Sequence, residues 1–66
     1  MLMTAMSSDY AGYTAGDLRR ERGRLLASIG TSWEGLEIRA TYMSLSAAQQ
    51  RVYEAVAAID AELDRR

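Results

Sequence analysis

The sequence predicts a small α+β domain, helix–β-hairpin–helix, preceded by a flexible N-terminal arm. Three observations point there. Two segments repeat apolar residues at helical spacing, each behind a capping signature, and one segment between them alternates apolar and polar residues with period 2. A turn dipeptide, Glu34-Gly35, precedes the alternating stretch. The chain has 66 residues, which is one domain: an arm over 1–13 and a folded unit over 14–66.

The arm is Met1-Leu2-Met3-Thr4-Ala5-Met6, then Ser7-Ser8-Asp9, then Tyr10-Ala11-Gly12-Tyr13, without a clean period of 2 or 3.6. It reads either as a floppy leader or as a docking arm. Met adapts to irregular apolar pockets, and Tyr offers wide contact at low entropic cost. No basic n-region or unbroken h-region marks a secretory signal, and no run approaches a membrane span. A cytosolic origin is the default expectation, compatible with the lack of Cys.

The first helix is predicted over 15–29. Thr14-Ala15-Gly16-Asp17 has the form of a capping box, and Asp17 suits the positive end of the helix dipole. Ala15, Leu18, Leu25, Leu26 and Ile29 fall on one arc, and Gly30 is placed to end the helix in the left-handed conformation. Gly23 in the interior costs about 1 kcal/mol relative to Ala, either for a close backbone approach or simply as a tolerated weakness. Arg22 lies inside the apolar arc. Its stem covers the core edge, or its head meets a carboxylate such as Glu37 or one on a neighbouring subunit.

The hairpin is predicted over Thr31 to Tyr42. Pairing across Glu34-Gly35 sets Trp33 opposite Leu36 and Thr31 opposite Ile38, all facing the helices; Ser32, Glu37 and Arg39 face out. The last helix is predicted over 47–64. Ser46-Ala47-Ala48-Gln49 is a second capping box, Val52, Val56, Ile59 and Leu63 continue one stripe, and Glu62 stands four before Arg66. The expected core is Leu18, Leu25, Ile29, Trp33, Leu36, Ile38, Val52, Val56, Ile59 and Leu63.

Composition narrows the function classes. With no His and no Cys, most nucleophilic and general-base chemistry at neutral pH is missing, so an enzyme is not expected, nor a catalytic, metal or cofactor site. Asp60, Glu62 and Asp64 spread around a helix instead of converging on a cation. The net charge of −1, from 8 basic residues (all Arg) against 9 acidic ones, steers the chain toward neither nucleic acid nor anionic lipid. Arg19, Arg20 and Arg24 project from the first helix among Asp17 and Glu21. They read as a solvated face or as Arg presented to an acidic protein partner. Candidate partner-binding residues are therefore Met1, Leu2, Met3, Met6, Tyr10, Tyr13, Arg19, Arg20 and Arg24. Trp33 is either a core anchor or, if it protrudes, an interface hot spot.

Thr14-Ala15-Gly16-Asp17-Leu18 opening an Arg/Ala/Leu helix, Gly30 at its end, the stretch Leu36-Glu37-Ile38-Arg39-Ala40-Thr41-Tyr42, and Ser44-Leu45 leading to Val56-Ala57-Ala58-Ile59-Asp60-Ala61-Glu62-Leu63 together resemble the phage head–tail joining protein W (gpW-like) family. The likeness covers about residues 14–64. It implies a structural virion protein that binds below the portal as a homo-oligomeric ring, helps retain DNA, and offers a platform to the next connector or the tail. Its partners would be the portal and that next protein, with DNA only as passing genome and no membrane. The arm would take the docking part that a C-terminal tail plays elsewhere in the family. Two other readings stay open: a WxG-type helical-hairpin secreted partner, from Trp33-Glu34-Gly35, and a small nucleic-acid-binding regulator.

Overall fold

The computed structural model describes Tyr10 and residues 12–66, and it corrects the fold class. The described chain is three helices, α1 (Ala15–Ser28), α2 (Trp33–Tyr42) and α3 (Ala47–Asp64), with no strand among the described residues. The expected hairpin is helix α2, and the fold is all-α.

Both outer helices start where side-chain chemistry demands. At α1 the Asp17 N–H donates to Thr14 Oγ1 at 3.0 Å, and the Thr14 N–H donates to Asp17 Oδ2 at 3.2 Å. At α3 the Gln49 N–H donates to Ser46 Oγ at 3.1 Å, and the Ser46 N–H to Gln49 Oε1 at 3.0 Å. Each box satisfies two N–H groups that a helix start otherwise leaves unpaired. α1 ends in a Schellman turn. Gly30 has φ of 67°, its N–H reaches the Ala27 carbonyl, and the Thr31 N–H reaches that of Leu26.

The same chemistry decides α2. Ser32 is extended and its Oγ accepts the Gly35 N–H at 3.1 Å, so Ser32 caps a helix instead of pairing in a strand. Glu34 in the first turn and Arg39 in the last suit the dipole. A hairpin turning at Glu34-Gly35 would use Gly35 at positive φ, and among the described glycines only Gly30 is there. A lone two-stranded ribbon is marginal in water, whereas a capped helix satisfies its own backbone. Gly35 has a separate reason to be Gly. A Cβ there would lie 2.7 Å from Thr31 Oγ1, inside the turn that caps α2.

α1 and α3 run antiparallel. Leu26 packs with Val52 and Val56, Arg22 meets Asp60, and the chain just before α1 meets Arg66. Leu18, Leu26, Leu36, Val52, Val56 and Ile59 are buried. Leu25, Ile29, Trp33, Leu45 and Tyr53 pack partly buried against the cluster of Leu26, Leu36, Val52 and Val56. Leu63 is half-buried. Ile38, expected to face inward, is 56% exposed.

The reason is angular. A strand's alternation, read at about 100° per residue, sends its apolar residues to two opposite sides of a helix. Trp33, Leu36 and Ala40 fall on one arc, and Leu36 anchors it. Ile38 and Tyr42 fall about 200° and 240° away from Leu36.

Candidate docking surface

The outward side of α2 is the largest departure from an ordinary solvated helix. Every residue from Glu37 to Ser44 is exposed, including Tyr42 at 81% and Met43 at 61%. Ile38 and Tyr42, one turn apart, form a short apolar strip beside Glu34 and Glu37. The helix ends at Met43, whose extended backbone leads to α3 and whose N–H still bonds the Arg39 carbonyl at 2.8 Å.

The inward side of α2 builds a cation–aromatic cluster with α1 and α3. The Trp33 and Tyr53 rings stack at 5.1 Å with 13° between their planes. The Arg22 guanidinium sits 5.8 Å from the Trp33 ring centroid, and its Nε donates to Asp60 Oδ1 at 2.9 Å. Both members of this pair are partly buried. Arg22 therefore has a carboxylate partner, but it is Asp60 on α3 rather than Glu37. Asp60, one of the acids expected to spread around the last helix, joins the two long helices. Trp33 is half-buried and serves as the platform of this cluster.

The arginines singled out on α1 divide. Arg20 pairs with Asp17 at 3.2 Å, and Arg24 Nε donates to Glu21 at 2.8 Å. Arg19 is exposed and forms no ion pair among the described residues. The helix thus neutralises two of its three outward cations, and a dense basic ridge is not formed. The Thr14 N–H and hydroxyl hold the Asp17 carboxyl below its ordinary range, and the Arg24 hydrogen bond does the same for Glu21 while raising Arg24.

At the far end, Glu62 is buried at 9% exposure and accepts from both Arg65 and Arg66. The Arg65 hydrogen bond first, then that from Arg66, lowers its pKa against the opposing effect of burial. Arg66 also donates to the Tyr10 carbonyl at 3.4 Å. Tyr10 and Tyr13 pack edge to face at 5.4 Å, closed by a Tyr13 N–H to Tyr10 carbonyl bond of 3.0 Å. Two of the expected partner-binding residues are therefore held in a turn at the C-terminal end of α3. Met1, Leu2, Met3 and Met6 lie outside the described residues.

Among the described residues, no group of three or more His, Cys, Asp or Glu could hold a metal ion, no buried side-chain polar atom lacks a partner, and no helix is long and apolar enough to cross a membrane. Sequence reasoning missed Ile38, Tyr42 and Met43 as a surface. The signal was present in the alternation, which marks a two-sided element whichever backbone it adopts. No family model, curated protein or solved structure matches the chain.

Proposed function

We propose that this chain is a structural subunit that acts by docking to other proteins, and that its setting is the head–tail connector of a tailed-phage virion, below the portal. The observation that carries the docking reading is the exposed apolar strip of α2. A 66-residue chain with so small a core leaves Ile38, Tyr42 and Met43 in water, where a partner would cover them. Subunits with thin cores gain stability by assembly.

The connector setting rests on the helical parts of the family likeness, Thr14 to Leu18 opening α1 and Val56 to Leu63 in α3. The stretch from Leu36 to Tyr42, which the likeness reads as a strand, is helical here and lends it nothing. The all-helical fold favours one second reading, the WxG-type partner. Against that reading, Trp33-Glu34-Gly35 opens a ten-residue helix and is not the bend between two long ones.

Mass spectrometry of purified particles from a phage encoding this chain is the test. The connector reading expects the chain in the particle beside the portal protein, at a fixed copy number. Particles that are infective and lack it would remove that setting.

A further inference from the structure

We infer that α2 is a lid on the α1–α3 pair: it opens as a unit and uncovers an apolar seat, while α1 and α3 stay together. The inference goes beyond the docking reading and does not rest on it.

The first ground is how α2 is held. Its two anchors, Trp33 and Leu36, both lie in its first four residues. Leu36 is fully buried and clusters with Leu26, Val52 and Val56, which form its seat. Trp33 stacks on Tyr53 at 5.1 Å and lies 5.8 Å from the Arg22 guanidinium. Every residue of α2 after Leu36 is exposed. The polar contacts of α2 are local: the Gly35 N–H donates to Ser32 Oγ, and the Thr41 hydroxyl donates to the Glu37 carbonyl. Among the described residues, no side-chain hydrogen bond or ion pair ties α2 to α1 or α3.

The second ground is that α1 and α3 hold each other without α2. Arg22 Nε donates to Asp60 Oδ1 at 2.9 Å, and Arg66 reaches the Tyr10 carbonyl just before α1 at 3.4 Å. Leu18 on α1 and Ile59 on α3 are fully buried and stand outside the cluster that holds Leu36. Buried side chains and an ion pair therefore remain when α2 leaves.

The third ground is the pivots. Residues 29–32 and 43–46 flank α2 outside any helix, and residues at the ends of an element absorb the rotation of a moving one. A region with few buried apolar contacts and exposed backbone hydrogen bonds opens at lower cost than the core. A ten-residue helix does not persist alone in water, so an α2 that leaves its seat also loses its backbone bonds. Amide exchange reads that loss directly.

Native-state hydrogen exchange of the full chain tests this, in the regime where rates report the opening equilibrium, with the parent and Ile59→Val. In the parent, the amides of Glu37 to Tyr42 are expected to share one protection factor, at least about tenfold below that of Val56 to Ile59. Ile59→Val trims a side chain that both the closed and the open-lid forms keep buried. It is expected to speed exchange at Val56 to Ile59 by about 2- to 10-fold and to leave the α2 amides unchanged. If the α2 amides accelerate by the same factor, the three helices open together and the inference falls. Equal protection of α2 and α3 in the parent would overturn it without any variant. So would protection that declines steadily from Glu37 to Tyr42, because that is fraying from one end and not a lid.

Discussion

α2 and α3 are capped alike and committed differently. Each begins at an extended Ser whose hydroxyl holds the N–H three residues on. α3 then buries Val52, Val56, Ile59 and Glu62 along one stripe, while α2 buries Leu36 alone. The lesson is that a cap decides whether a segment is helical and the spacing of apolar residues decides what that helix is for. A 3.6 period spends every large side chain on the core, and a period of 2 leaves half of them facing away.

The comparison breaks most visibly on α3. Ile59→Ala should cost about 2–5 kcal/mol by removing a fully buried side chain of α3, measured by urea denaturation. Leu36→Ala should cost about 2–4 kcal/mol, since α2 has no second buried anchor. Its neighbour is the sharpest contrast. Ile38→Asp should stay within about 0.5 kcal/mol of the parent in the same titration. A loss of several kcal/mol there would mean that Ile38 faces a core.

A smaller effect belongs to the cluster under α2. A double-mutant cycle of Arg22→Met with Asp60→Asn should yield a coupling of about 1 kcal/mol, the value expected of a pair still open to solvent. Acid should act at the last turn of α3. Glu62 is held below its ordinary value of 4.5, so its contribution is whole above that pH and fades as pH falls through the lower folded value. Asp17 and Glu21 act in the same direction. Thermal midpoints between pH 7 and 2.5 should therefore drop on the acid side, and Glu62→Gln should flatten that drop. The smallest change is a gain. Gly23→Ala meets nothing within 4 Å and should add about 0.5–1 kcal/mol.

Much of α1 and α3 was legible. Thr14 with Asp17 and Ser46 with Gln49 mark their starts, and Gly30 marks the end of α1, because these are local contacts written within four residues. The ends at Ser28 and Asp64 fall within a residue of expectation. α2 departs from the hairpin expectation because the alternation over 36–42 is outweighed by Ser32, whose capping hydroxyl is equally local, and because Thr31 to Trp33 is too short a segment to pair as a strand. The Arg22–Asp60 pair was out of reach. It joins residues 38 apart, and only the antiparallel pairing of α1 with α3 selects Asp60 over Glu37.

The clasp at Glu62 has one more consequence. By gathering Arg65 and Arg66 and handing the latter to the Tyr10 carbonyl, it ties the turn before α1 to the tail of α3. One carboxylate thus draws the two ends of the described chain together.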